Sequence, residues 1–519
     1  MRRLAELCSL LAGPADRLLP TDIEAGSVDY ELSTLTYDSR TCRDGCAFFA
    51  FDGIHTDGQR YIDQAIELGA RLVVCPSEPA TVTDGVQYLV TSHPRRMFAR
   101  FSEAWFDHPS KAMRIVGVTG TDGKSSTCDF LWQMLESRGI RAGLLGTVAM
   151  DDGSTHGPSP YRQSTPEAFE IQAFLDRCRR NGLKTVILET TSHALSEQYD
   201  RLAGIEYACA VYTTISSEHL EFHKTLDAYV EAKLNLARRI ADDGCLVLCD
   251  DNRYAARILG AAPEHATVVT CHIGSEEDQA QTAIRADILD KTLEGCSFVL
   301  RGTPGRIYRF PIGSPVFLSN AIEALTAASL LTGEPIETLA PAIEDIRPVP
   351  GRFNMIPNTL GFTVIVDFAH TADAFSRLMG ELHAMAPSAR LIAVFGAAGE
   401  RDTSKRAPMG RQAATWCSVI YLTDEDPRNE PSQAIFDDLE AGIPASLASR
   451  REIHRIADRR QAIADALSEA REGDIVLFLG KGHERSIEYE NGRKLPWDET
   501  QTIAQELARL TACKENCQL

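Results

Sequence analysis

Met113-Arg114-Ile115-Val116-Gly117-Val118-Thr119-Gly120-Thr121-Asp122-Gly123-Lys124-Ser125-Ser126 is the stretch that decides the fold. A β-branched apolar run ends in a glycine-rich turn, and the segment CDFLWQMLESRG, residues 128–139, follows with helical spacing. Such a strand, turn and helix aim successive backbone N–H groups at an anion, with a lysine adding charge and a hydroxyl suited to Mg²⁺. The strict G-x4-G-K-[ST] spacing is missed, because Val118 stands where the first glycine would be. A glycine-rich turn that binds nothing is the alternative reading.

Outward from this point, buried strands alternate with helices: TVILET (185–190), YACAVYTTI (207–215) and CLVLCD (245–250). The pattern predicts a parallel sheet with crossover helices. Residues 275–318 change to short alternating segments with a turn at RGTPGR, which predicts a small antiparallel addition. Arg347-Pro348-Val349-Pro350-Gly351-Arg352 reads as a stiff hinge. After it the alternation restarts with TVIVDFAH, RLIAVFGAAG, CSVIYLTDEDP and DIVLFLGKGHE. Before it all, IDQAIELGA and RLVVCP give a mixed helix–strand pattern. The expectation is an α/β protein of three domains, 1–110, 111–346 and 347–519, the last two each doubly wound.

Composition narrows the classes. A chain of 519 residues is too long for one core, and 44% hydrophobic with 24% charged residues is ordinary for a globular protein. Its formal net charge of −20 argues against a nucleic-acid or anionic-membrane binder. No run of about 18 uncharged apolar residues is evident, so no membrane span is expected. The N-terminal MRRLAELCSLLAG reads as an amphipathic helix rather than a signal peptide, since Glu6 interrupts it. The 14 cysteines are scattered, with no zinc-finger spacing, and are expected to be free thiols in a reducing cytoplasm.

Lys233 is the next informative residue. In LDAYVEAKLNLARRI it falls on the apolar stripe of Leu226, Val230, Ala237 and Ile240. A desolvated lysine loses charge and becomes a nucleophilic amine, able to take up CO2 as a carbamate and become a metal ligand. A lysine snorkelling to solvent is the alternative. Glu189, His219 and Lys124 share its setting just past strand ends, where doubly wound sheets bind ligands. In the last domain Asp367, His370, Arg401, Lys405, Glu425, Asp426, Arg428, Gly480 and Glu484 follow strands in the same way. Their mixed signs suit a zwitterion, with arginines for carboxylates and acids for ammonium. Solvated loop charges are the alternative.

The ordered set T-G-T-D-G-K-S, E-x-x-S-H-A-L, E-H-L-E-F-H, A-Y-x-x-A-K, P-V-P-G-R, D-F-A-H-T, G-x-R-D-x-x-K-R, D-P-R and G-K-G-H-E resembles the Mur ligases of peptidoglycan synthesis over nearly the whole chain. Within that family it is most similar to the tripeptide-forming branch. The resemblance implies a cytoplasmic, monomeric, ATP- and Mg²⁺-dependent amide ligase acting on UDP-MurNAc-L-Ala-D-Glu and a diamino acid. It places ATP on Thr119, Gly120, Thr121, Asp122, Gly123, Lys124 and Ser125, with Asn320, Arg352 and Asp367 as further nucleotide contacts. Mg²⁺ would lie near Ser125, Glu189 and His219, and Lys233 would be carbamylated, its new carboxylate helping to hold a second Mg²⁺. Tyr37, Ser39, Ile54, His55, Thr56, Ser164, Thr165, Thr191 and Arg201 would hold the UDP-sugar dipeptide. Arg401, Glu425, Asp426, Pro427, Arg428, Gly480 and Glu484 would hold the amino acid. Closure about residues 347–352 would exclude water from an acyl phosphate.

Some positions depart from the family's common pattern. Asp122 replaces an asparagine, Thr214 and Ser217 replace an asparagine and an arginine, and Ala372 replaces a proline. Where diaminopimelate-adding members read D-N-P-R, this chain reads Glu425-Asp426-Pro427-Arg428. Arg428 can grip a distal carboxylate, a pairing of about 1.5–3 kcal/mol, which favours meso-diaminopimelate. The doubled acid would suit a bare ammonium, so lysine or ornithine stays open. A folylpolyglutamate-type ligase and a silent nucleotide-binding scaffold are the remoter alternatives.

Overall fold

The computed structural model describes residues 2–3, 17–19, 31–51, 57–161, 163–216, 220–249, 252–274, 284–303 and 305–518. The chain forms two compact units. One comprises Met1–His272, Glu276–Arg285 and Ser319–Ala340; the other comprises Ile273–Ser275, Ala286–Leu318 and Pro341–Leu519.

The first unit holds two sheets. In the smaller, Leu35–Thr36, Cys46–Phe49, Ala70–Cys75 and Gln87–Val90 run parallel in that order, and Arg17–Leu19 closes the edge antiparallel. In the larger, Ala142–Leu145, Thr185–Glu189, Arg114–Thr119, Tyr207–Tyr212, Ile240–Cys249 and Thr267–Ile273 are parallel neighbours. The strands Ala149–Asp151 and His156–Pro158 add an antiparallel hairpin beyond Ala142–Leu145. The chain passes from one side of Arg114–Thr119 to the other between Thr185–Glu189 and Tyr207–Tyr212, which puts a ligand crevice at the C-terminal ends of these strands. Ile115, Val116 and Val118 are buried in that middle strand, and the following helix, Lys124–Ser137, buries Phe130, Leu131, Met134 and Leu135. The two sheets share a unit because the helices Pro94–Trp105 and Ala168–Arg180 pack together. Arg95 pairs with Glu167 at 3.3 Å and Arg96 with Asp200 at 2.8 Å across the same join.

In the second unit, Thr363–Asp367, Ile475–Leu479, Leu391–Phe395, Val419–Leu422 and Glu452–Arg455 form a parallel sheet in that order, with Asn354–Met355 antiparallel at one edge. The strands Ile284–Thr292, Gly295–Leu300 and Tyr308–Phe310 are antiparallel, the small antiparallel addition that the sequence predicts within 275–318.

The helix Pro315–Thr332 is long and apolar enough to cross a membrane, but it carries Glu323 and 61% of it is buried within the protein. Its Ser319 and Thr326 meet Cys249 and Cys271 at 3.4 and 3.2 Å, so this apolarity serves packing on the central sheet. The helix carrying Lys233 spans Leu226–Ala237, so Ile240 lies in the next strand and is not part of its stripe.

Candidate active site

In the first unit the loop after Arg114–Thr119 turns sharply into Lys124–Ser137. Gly120 has φ +154°, and a β-carbon there would sit 1.8 Å from Thr213 Oγ1; at Gly123, φ +86°, it would sit 2.5 Å from Asn320 Oδ1. Only glycine fits either position. The loop is tied to residues 213–216: Thr121 N donates to Thr214 O at 2.7 Å, and Thr213 Oγ1 to Asp122 O at 2.5 Å. Thr121 Oγ1 also lies 2.8 Å from Tyr229 Oη. Lys124 Nζ donates to the carbonyls of Gly120 and Thr121 at 3.2 and 2.7 Å.

A buried carboxylate faces the start of this helix. Ser125 Oγ donates to Glu189 Oε1 and Oε2 at 3.2 and 3.1 Å. Thr147 approaches Glu189 Oε2 with both its N–H and its hydroxyl at 2.9 Å. Lys233 is 1% exposed, which removes the snorkelling alternative. Its Nζ donates to Gly120 O at 2.6 Å and lies 4.6 Å from the Tyr229 ring centre. Hydroxyl and carboxylate oxygens of this kind are the hard ligands Mg²⁺ takes, so the residues present fit the ion. His219 lies outside the described residues.

The Glu189 strand continues into a polar, hydrogen-bonded segment. Thr165 Oγ1 donates to Glu189 O at 2.7 Å and accepts from Thr191 N at 3.0 Å. Thr147 Oγ1 reaches Ser164 Oγ at 2.6 Å, and Arg201 donates to Thr165 O at 2.9 Å while pairing with Glu167 at 2.8 Å. Tyr199 is buried, its ring 4.1 Å from the Arg95 guanidinium, whereas Gln198 is exposed. Tyr37 is exposed and stacks on Phe51 at 5.5 Å, and Ser39 Oγ meets Gln64 Oε1 at 2.7 Å. Partial desolvation of the stacked Tyr37 phenol, and then the nearby Glu170 and Glu167 carboxylates, push its pKa up to about 12. Ile54, His55 and Thr56 lie outside the described residues.

In the second unit, six expected residues follow two strand ends. Gly480, Lys481 and Glu484 follow Ile475–Leu479, and Glu425 to Arg428 follow Val419–Leu422. Glu425 is 7% exposed and approaches Gly480, where an added β-carbon would be 2.7 Å from Oε2. That Oε2 has no hydrogen-bond partner among the described residues. Arg428 holds φ +53°, donates to Gly399 O at 2.5 Å and lies 3.7 Å from Asp426 and 3.6 Å from Glu488. Burial raises the pKa of Glu484 against the opposing pull of Lys481. Pro427 O approaches Gly399, drawing the turn onto the loop after Leu391–Phe395. Arg401, further along that loop, is exposed.

The hinge sequence makes a tight turn in the same unit. Asp367 accepts from Phe353 N and Ala369 N, both at 2.7 Å, so its carboxylate braces Phe353 at φ +43°. The Arg352 guanidinium lies 4.6 Å from the Phe368 ring, and its Nε has no partner among the described residues.

Sequence reasoning missed Thr147, Tyr229, Thr213 and Lys481. Lys481 stood inside the quoted G-K-G-H-E motif, and its apolar flank was the available signal. Tyr229 likewise stood inside the quoted A-Y-x-x-A-K motif, whereas Thr147 and Thr213 touch the site through tertiary contacts that no local pattern announces.

Models of the Mur ligase family match three segments: its catalytic domain at residues 31–106, its middle domain at 118–328 and its glutamate ligase domain at 351–482. The chain is 37% identical over 484 residues to the UDP-N-acetylmuramyl-tripeptide synthetase of Borreliella afzelii (strain PKo), covering 92% of this chain and 94% of that protein. It is 38% identical to the protein of the same name from Roseiflexus sp. (strain RS-1), covering 93% and 96%. Among solved structures it resembles a UDP-N-acetylmuramoyl-L-alanyl-D-glutamate–2,6-diaminopimelate ligase at 28% identity and TM-score 0.60, covering 92% and 95%.

Proposed function

The chain belongs to the Mur ligase family, and on that premise we propose that it joins a diamino acid, preferentially meso-diaminopimelate, to the D-glutamate of UDP-MurNAc-L-Ala-D-Glu. It is an ATP-dependent, amide-bond-forming ligase of peptidoglycan synthesis. The observation that carries the reading is the Ser125–Glu189–Thr147 cluster at the mouth of the glycine loop, with buried Lys233 on the same loop's Gly120 carbonyl. In this reading residues 1–110 bind the uridine nucleotide, 111–346 bind ATP and 347–519 bind the amino acid, in a monomer of the cytoplasm.

A free carboxylate is a poor acyl donor, so the D-glutamate carboxylate attacks the γ-phosphorus of ATP, releasing ADP and forming an acyl phosphate. Backbone N–H groups of residues 119–125 and the Lys124 ammonium offset charge on the phosphoryl oxygens. Mg²⁺, when bound by Ser125, Glu189 and His219, supplies further charge neutralisation and orientation. Lys233 as its carbamate would present a carboxylate beside the loop in place of an ammonium. Asn320 and Arg352 would contact the nucleotide, and Asp367 would hold the turn that presents Arg352. Tyr37, Ser39, Ile54, His55 and Thr56 would take the uridine end, and Ser164, Thr165, Thr191 and Arg201 the dipeptide. The amino group of the third substrate then attacks the acyl carbon, the tetrahedral intermediate expels phosphate, and the amide remains. Glu425, Asp426, Arg428, Gly480 and Glu484 orient that amino acid, with Arg401 joining when substrate is bound.

The test is ADP release with ATP, Mg²⁺ and UDP-MurNAc-L-Ala-D-Glu, with and without each diamino acid. Diaminopimelate should stimulate release most, with lysine and ornithine weaker. If no diamino acid stimulates it, the reading fails; stimulation by glutamate with a folate would favour the folylpolyglutamate alternative.

A further inference from the structure

The sequence sets two acids, Glu425 and Asp426, where one acid and one amide are common in diaminopimelate-adding relatives, and the structure shows that the two are not equivalent. Asp426 Oδ1 accepts from Lys481 Nζ at 2.9 Å and from Glu488 N at 2.9 Å. Its other oxygen lies 3.7 Å from Arg428. Lys481 is 0% exposed and also pairs with Glu484 at 2.7 Å. A buried ammonium must be met by opposite charge, and here Asp426 and Glu484 supply it. Glu425, by contrast, keeps a buried oxygen without a hydrogen-bond partner among the described residues.

We propose that Lys481 is a positioning residue for amino-acid selection: it holds Asp426 as an internal counter-ion and leaves Glu425 to accept the cationic end of the incoming amino acid. The inference rests on the amino-acid site placed in this loop under the proposed function. The extra acid at 426 is thereby held on Lys481, with Arg428 3.7 Å from its other oxygen, rather than presented to the ligand. Arg428 keeps its role toward a distal carboxylate. Diaminopimelate, with two ammonium and two carboxylate groups, is thereby matched better than lysine, which lacks the second carboxylate.

The experiment compares the ratio of kcat/KM for diaminopimelate and lysine in the full-length enzyme, in Asp426→Asn and in Asp426→Asn/Lys481→Met. Asp426→Asn leaves Lys481 paired with Glu484 alone and makes the pocket one charge more positive, which should shift the ratio toward diaminopimelate by about tenfold, chiefly through KM. The double variant removes both charges and should return the ratio to within about threefold of the parent. If the double variant keeps the ratio of Asp426→Asn, Asp426 reads the ligand itself and the proposal is overturned. An unchanged ratio in Asp426→Asn overturns it equally. Absence of any diamino-acid response in the parent enzyme would instead defeat the functional reading on which the inference rests.

Discussion

Ser125 Oγ donates to both oxygens of Glu189, at 3.2 and 3.1 Å, joining the first turn of the helix after the glycine loop to the end of the neighbouring parallel strand. The contact fixes a hard-oxygen pair at the place where phosphate charge would build. Glu189→Gln keeps the shape but removes the charge. ADP release should fall by about 10²–10³-fold, and the Mg²⁺ concentration for half-maximal rate should rise. A steady-state titration with Mg²⁺ reads both, and an unchanged thermal midpoint would show that the fold is intact.

Lys233 lies within a buried wall of Tyr229, Val230, Leu234 and Leu236, with its ammonium 2.6 Å from Gly120 O. Lys233→Ala should abolish ADP release, and small carboxylic acids added to the assay should restore part of it by standing in for the carbamate. Mass spectrometry under CO2 should show the adduct on the parent protein only. Full activity of the alanine variant would remove Lys233 from the site.

Arg428 stands at φ +53° with its guanidinium among Gly399 O, Asp426 and Glu488. Arg428→Ala should lower kcat/KM for diaminopimelate by about 10–100-fold, the value of a charge-assisted pair, and affect lysine far less. Equal losses with both amino acids would show that Arg428 does not read the distal carboxylate.

His483 follows Lys481 in the same loop. Burial, and then the positive charges of Arg352, Lys481 and Arg485, lower its pKa from 6.5 to about 3. The unfolded chain therefore takes up a proton on this imidazole below pH 6.5 while the folded protein does not until about pH 3. Its contribution to stability is present above pH 6.5 and is lost as the pH falls toward 3. Urea midpoints measured between pH 7 and 4 should fall less steeply in His483→Gln than in the parent. Parallel curves would mean that His483 is protonated in the native state.

The doubly wound sheets were legible because continuous apolar strands such as TVIVD and IVLFL, each followed by a polar strand end, describe parallel sheets buried on both faces. The site was legible where chemistry is local: the loop 119–125, Glu189, and Lys233 with its apolar neighbours. What the sequence hid is pairing over long separations. Arg459 and Glu499, both 0% exposed at the side chain and 2.5 Å apart, brace the ends of two strands through Asp424 O and Leu479 O. Nothing in either segment marks that pairing. Likewise the sequence shows two acids at 425 and 426, while their different partners are visible only once Lys481 is brought beside one of them.

The most direct test of the account follows the oxygen atoms. UDP-MurNAc-L-Ala-D-Glu labelled with ¹⁸O in the reacting carboxylate is turned over with ATP and diaminopimelate, and the released phosphate is analysed by mass spectrometry. Activation as an acyl phosphate transfers one labelled oxygen to phosphate for each amide formed. Phosphate free of label, with amide still accumulating, would contradict the account.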